Sequence, residues 1–143
     1  MKQKANMGHY MQVLSKILDS TEEMGASLNE YFEALRSFLD EKTPLNQEQY
    51  EKTNTAFTKG LELYHENLAK LTSLNAPVQI LGPHKLLVGS YKKFVSGCDK
   101  MQASIDYQQN SIDQEMFDQA ELEQSNAMDA ISSHVQKIVR KVM

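Results

Sequence analysis

The sequence predicts an all-α fold, a four-helix up-and-down bundle with antiparallel neighbours. Apolar residues recur at helical spacing in four segments, and turn or cap residues separate those segments. Alternating runs rich in Val, Ile and Thr, which are typical of strands, are missing. The 143 residues match the length of one domain, so we expect residues 1–143 to form a single helical bundle.

The first predicted helix, residues 6–40, has the clearest pattern. Three positions of its heptad hold fifteen residues, and thirteen of them are apolar; the exceptions are Thr21 and Gly25. These three positions form a stripe wide enough to be covered by more than one neighbour, which favours a bundle over the alternative of a dimeric coiled coil. Pro44 ends this helix, because the residue before a proline disfavours helical geometry.

Cap signals define the other three helices. Asn46 and Gln49 form a capping-box pattern before a helix at 47–74, and the connector that follows, 75–83, contains two prolines. The third helix is expected at 84–109, with Pro83 suited to its first turn. The fourth is expected at 113–142, with Ser111 and Gln114 as its capping pair.

The alternation of helices predicts an uneven charge distribution. One end would gather residues 1–12, 66–92 and 135–143, where eight basic residues face one acidic residue. The other would gather residues 36–52 and 100–125, with four basic and ten acidic residues. A basic end suits an anionic surface or an acidic partner, although a chance bias of solvated side chains explains it as well. The candidate binding residues at this end are Lys2, Lys4, Lys85, Lys137, Arg140 and Lys141.

Composition excludes several classes of protein. Cys98 is the single cysteine, so neither an intrachain disulfide nor a cysteine-based zinc site can form, and a reducing compartment is expected. Residues 1–10 lack the apolar run of a signal peptide, and no apolar stretch is long enough to span a membrane. We therefore expect a cytoplasmic protein. A pI near 5.5 and the lack of a dense basic run disfavour nucleic acid as a partner.

Two constellations could hold a metal or a cofactor. Glu62 and His65 form one Glu-x-x-His pair, but a di-iron bundle needs two such pairs, so an exposed helical pair is the simpler interpretation. Met7 and His134 lie on apolar stripes and could act as axial ligands of haem, although the chain has no Cys-x-x-Cys-His motif. We expect no metal and no cofactor.

Glycines inside the helices leave one more alternative. Gly25, Gly60, Gly89 and Gly97 each cost up to about 1 kcal/mol relative to alanine. They either permit close approach of helices or loosen the middle of the bundle enough to form a small pocket. No nucleophile elbow, phosphate loop or dinucleotide fingerprint is present, so an enzyme is not expected.

The segment from Ala76 and Pro77 to His84, Leu87 and Tyr91 resembles the corresponding helix start of small uncharacterised helical-bundle proteins from Gram-positive bacteria. The resemblance covers about a tenth of the chain and implies a fold without an activity. Secreted helical hairpins of the type VII system show a Trp-x-Gly turn, and this chain has no Trp.

The predicted function is a non-enzymatic interaction or adaptor bundle that binds an unidentified protein or anionic partner. The alternative is a bundle that binds a small ligand, metal or haem between its helices. The sequence is also compatible with a homodimer.

Overall fold

The computed structural model describes residues 6–143 and confirms an all-α fold with four long helices. Lys2 and Lys4 lie outside the described residues. The helices are α1 (Met7–Glu41), α2 (Gln47–Ser73), α3 (Leu81–Ala103) and α4 (Gln114–Val142), with a 3₁₀ turn at Val78–Ile80 and two short strands, β1 (Ile105–Asp106) and β2 (Ser111–Ile112). The bounds predicted for the first, second and fourth helices agree within one residue. None of the helices between residues 6 and 143 combines the length and the apolar content that crossing a bilayer requires.

Asparagine side chains cap the starts of the first two helices. The Asn6 side chain accepts a hydrogen bond of 3.0 Å from the backbone N–H of His9. Asn46 and Gln49 form the predicted capping box, with both reciprocal bonds at 2.8 Å. α1 ends at Glu41, and its C-cap residue Lys42 has a left-handed φ of 59°, which turns the chain before Pro44.

The third helix is shorter than predicted. The prediction is a helix at 84–109, but the helix begins at Leu81 and ends at Ala103. Pro83 lies in its first turn, as predicted. A β-hairpin replaces its last turns, with Ile105 paired to Ile112 and Asp106 to Ser111 in antiparallel register. The Asp106 carboxylate accepts hydrogen bonds of 3.0 Å from the backbone N–H groups of Gln108 and Gln109. This local turn competes successfully with the helix, because aspartate satisfies the backbone donors outside helical geometry.

The cap of the fourth helix also differs from the prediction. Ser111 belongs to β2 and does not cap α4. Asp113 is the N-cap, and its side chain accepts a 3.1 Å hydrogen bond from the backbone N–H of Met116. The backbone N–H of Asp113 donates in turn to the carbonyl of Ser104 at 2.8 Å, which closes the hairpin onto the end of α3.

The apolar stripes are buried in two clusters that share Leu28. The first surrounds Tyr10, Leu87 and Tyr91, and the second surrounds Leu35 and Phe117. Contact is most extensive between α3 and α4, followed by α2 with α3 and α1 with α2. Along the described residues, the backbones of α1 and α4 hardly approach each other. This spacing leaves an opening between the two helices.

Candidate functional site

A cavity of about 480 Å³, here called the central cleft, lies in the opening between α1 and α4. All four helices contribute to its lining. The apolar lining residues are Leu28 and Phe32 from α1, Phe57, Leu61 and Tyr64 from α2, Phe94, Cys98 and Met101 from α3, and Met128 from α4. The remaining lining residues are Thr21, Glu22, Gly25, Asn29, Glu121, Gln124 and Ser125. The cleft is therefore mainly apolar inside and carries its polar groups on α1 and α4.

Three glycines have different roles around the cleft. Gly25 lines the cleft, and a Cβ placed on it would approach only the hydroxyl of Tyr64, at 4.0 Å. A Cβ on Gly60 would lie 2.7 Å from Cδ1 of Leu28, so this glycine lets α2 fit against α1. A Cβ on Gly97 would lie 2.9 Å from Cγ and 3.3 Å from the backbone nitrogen of Gln124. Gly97 thus permits the tight contact of α3 with α4. Gly60 and Gly97 therefore permit close approach of helices, whereas Gly25 lies in the lining of a cavity.

A second cavity of about 330 Å³, here called the lower groove, continues from the central cleft between the same two helices. The two cavities share Thr21, Glu22 and Met128. Its other lining residues are Leu18, Tyr91, Ile131, Ser132, Val135 and Gln136. From Leu18 to Phe32, the two cavities together follow α1 for roughly 21 Å at 1.5 Å per residue.

A buried polar cluster holds α1, α2 and α3 in register beside the cleft. Thr21 Oγ1 donates to the carbonyl of Ile17 at 2.7 Å and lies 2.7 Å from the hydroxyl of Tyr91. Burial raises the pKa of Tyr91, so its hydroxyl keeps its proton and donates to Thr21. The amide of Asn67 donates to Ser20 at 3.0 Å and to Tyr91 at 3.3 Å. Such a network is stable only when its members are satisfied together, which fixes the relative height of the three helices.

The charges of the cleft are acidic on balance. Glu22 and Glu121 line it, and its lining includes no lysine or arginine among the described residues. Arg36 lies next to this lining and is 2.9 Å from Asp118 and 3.3 Å from Asp40, and it also pairs with Glu121. Burial by itself lowers the pKa of Arg36, but the hydrogen bonds to Glu121 and Asp118 raise it above its ordinary value. One guanidinium therefore faces three carboxylates.

Cys98 is the thiol of the cleft. Burial, and to a lesser extent the charge of Asp99, raise its pKa to about 12. The thiol is consequently protonated near neutral pH and is a poor nucleophile. The cleft lining includes no histidine among residues 6–143 that could act as a base for it. These groups suit binding of an apolar molecule rather than covalent chemistry.

The metal candidates are not brought together as a site. Glu62 and His65 are both exposed, and His65 Nε2 lies 2.9 Å from Asp99 on α3 instead of sharing a ligand with Glu62. Within the described residues, no group of three His, Cys, Asp or Glu side chains is arranged to hold a metal ion. Met7 and His134 are half-buried, and neither lines the cleft.

His84 of α3 contacts Tyr10 of α1. Its Nδ1 lies 2.8 Å from the hydroxyl of Tyr10, and the two rings meet edge to face. Burial raises the pKa of Tyr10 to about 12 and lowers the pKa of His84. The tyrosine is therefore the donor and the neutral histidine the acceptor, which makes this pair a structural contact at the start of α1 and α3.

The basic candidates that the structure describes are exposed. Lys85, Lys137, Arg140 and Lys141 all lie at the surface, and none of the four forms an ion pair among residues 6–143. Comparisons with models of protein families, with curated proteins and with solved structures gave no match. The cleft and the basic residues are thus the two features from which a function can be argued.

Sequence reasoning did not identify the polar residues of the cleft. Glu22 and Asn29 lie outside the apolar stripe predicted for the first helix, and Glu121 is counted only among the acidic residues of one end. A heptad pattern shows which side of a helix is apolar but not how far apart two helices lie. One signal was present. Thr21 and Gly25, the two small or polar members of the first apolar stripe, both line the cleft.

Proposed function

We propose that this chain is a non-enzymatic binding protein that holds an apolar small molecule in the central cleft of an up-and-down four-helix bundle. The observation that carries the proposal is the cleft itself. Its volume of about 480 Å³ lies in the range of ligand sites, roughly 300–1,000 Å³, which are usually apolar with a few placed polar groups. Its lining is largely aromatic and aliphatic, as in such sites.

The up-and-down arrangement is part of this proposal. The Tyr10–His84 contact joins the start of α1 to the start of α3. The pairing of Arg36 with Asp118 joins the end of α1 to the start of α4. Both contacts are those of helices that alternate in direction. They support a cleft bounded by α1 and α4 along its length, with α2 and α3 as its floor.

The test is the binding of N-phenyl-1-naphthylamine, a neutral apolar dye whose fluorescence rises in apolar surroundings. We expect saturable binding by the wild type and several-fold weaker binding by Gly25→Leu, because the new side chain fills the cleft. Gly89→Leu is the matched control, since it also removes a helical glycine but a Cβ there meets nothing within 4 Å. Equal dye binding by the wild type and Gly25→Leu, with helicity unchanged, would refute the proposal. Native mass spectrometry of the purified protein would show a co-purified molecule and report whether a homodimer forms.

A second candidate function is the binding of an anionic partner by the basic end. It is favoured by four exposed residues that form no ion pair within residues 6–143: Lys85, Lys137, Arg140 and Lys141. We propose vesicles containing phosphatidylglycerol as the probe, at low and high salt, against vesicles of phosphatidylcholine alone. The Arg140→Glu, Lys141→Glu variant should lose salt-sensitive binding. The charge-matched control is Lys59→Glu, Lys93→Glu, which changes exposed residues in the middle of α2 and α3. Equal loss in both variants would show a general charge effect and rule out a specific basic end.

We propose a cytoplasmic location, supported by the single, protonated thiol of Cys98 and the lack of any disulfide partner in the sequence. The resemblance to helical-bundle proteins of Gram-positive bacteria stays a prediction.

A further inference from the structure

We propose that the ligand of the central cleft is an elongated apolar cation, such as an alkylammonium compound, rather than a fatty acid or another anion. This inference rests on the proposed function of the cleft and adds the charge of its ligand. Three features of the described residues carry it: the shape of the opening, the sign of the charges on its lining, and the saturation of the one nearby guanidinium.

The shape favours a slender molecule over a helix from a partner protein. The central cleft reaches down to Phe57 and Tyr64 on α2 and to Phe94 on α3, while α1 and α4 form its walls. A helix with its side chains is about 10 Å wide, which is more than cavities of about 480 and 330 Å³ accommodate. A single alkyl chain is slender enough for the central cleft, and the lower groove extends the path along α1 and α4.

The lining charges select the head group. Glu22 lies where the central cleft and the lower groove meet, and Glu121 lines the central cleft from the opposite wall. A cation placed between the walls can approach the Glu22 carboxylate, whereas an anion would be repelled by it; the Glu121 carboxylate is already paired with Arg36. Phe32 and Phe57 belong to the same lining, and an aromatic ring attracts a cation that lies over its face but not an anion.

Arg36 does not reverse this preference. It pairs with the lining residue Glu121 and also binds Asp40 and Asp118. Its side chain is 22% exposed, and its guanidinium lies over the ring of Phe117 at 4.9 Å. An anionic ligand would have to compete with three fixed carboxylates for this group. The binding of a fatty acid is therefore disfavoured even at the end of the cleft nearest to Arg36.

The experiment is displacement of N-phenyl-1-naphthylamine by three molecules with the same ten-carbon chain: decyltrimethylammonium, decanol and decanoate. All three are used below their micellar concentrations, and helicity is followed by circular dichroism. We expect decyltrimethylammonium to displace the dye at a concentration at least about tenfold lower than decanoate, with decanol between them. The ratio should decrease as salt is raised, since Glu22 is exposed at the mouth of the cleft.

Glu22→Gln should reduce the ratio of decanoate to decyltrimethylammonium concentrations about threefold or more, with each displacement referred to the dye affinity measured on the same variant. Glu23→Gln is the matched control, because Glu23 is an exposed neighbour that lines neither cavity. Dye binding with equal displacement by the cation and the anion would overturn the inference and leave the proposed function standing. A failure of the dye to bind the wild type would refute both.

Discussion

Substitution of Gly97 by alanine tests the close contact of α3 with α4. Alanine favours a helix interior over glycine by up to about 1 kcal/mol, so an unobstructed site would gain stability. At Gly97 the new Cβ would meet Gln124 Cγ at 2.9 Å, its backbone nitrogen at 3.3 Å and the carbonyl of Ala120 at 3.5 Å. The side chain of Gln124 cannot simply turn away, because its amide donates to the Gly97 carbonyl at 3.1 Å.

The magnitude follows from these opposing effects. Forcing an extra carbon into a filled interface typically costs about 1–3 kcal/mol, which exceeds the gain in helix propensity. We therefore expect Gly97→Ala to lower the free energy of unfolding by about 1 kcal/mol. Gly89→Ala, eight residues earlier in the same helix, meets nothing within 4 Å and should raise it by about 1 kcal/mol.

The assay is urea unfolding followed by circular dichroism at 222 nm. With a slope of about 2 kcal/mol per M, the two variants should differ in midpoint by about 1 M, and their slopes should be equal. A Gly97→Ala protein as stable as Gly89→Ala would refute the reasoning, because α3 and α4 would then have room for a methyl group between them.

Three further predictions concern single groups. The free energy of unfolding should decrease as the pH falls below about 6.5, because His84 takes up a proton in the unfolded chain but stays neutral in the buried site of the folded protein. Urea unfolding at several pH values should show a shallower decrease for His84→Leu. The same pH dependence in the wild type and the variant would contradict this assignment. Cys98 of the folded protein should react with a neutral maleimide at pH 7.5 much more slowly than Cys98 of the urea-unfolded protein, since the raised pKa leaves little thiolate. Equal reaction rates, measured by mass spectrometry, would show that the fold does not shield this thiol. Asp113→Ala should cost about 1 kcal/mol through loss of the α4 cap, whereas Ser111→Ala should cost less than half as much; the opposite order in urea unfolding would restore Ser111 as the capping residue.

The sequence contained enough information for the helices but not for the connection between α3 and α4. Apolar periodicity and caps predicted three helices within one residue, because both signals act over neighbouring turns of the chain. At Ile105 the same apolar spacing fits a helix and a short strand. The outcome was decided by the Asp106 side chain and by the left-handed Asn110, with φ of 53°, which closes the hairpin turn. These are single-residue effects that a stripe of apolar positions does not resolve.

The apolar pattern does not predict the cleft, because the cleft depends on the distances between helices. Each apolar stripe predicts that a helix faces inward, but the approach of two helices is set by the positions where a side chain is missing. Gly97 lets α4 lie close against α3, and Gly60 lets α2 accept Leu28 of α1. Along the described residues, the backbones of α1 and α4 hardly approach each other, although Arg36 joins them through Asp118, and Gly25 leaves further space on the cleft side of α1. The glycines that cost helix stability thus set how closely α2 approaches α1 and α3 approaches α4, and the cleft lies where α1 and α4 stay apart.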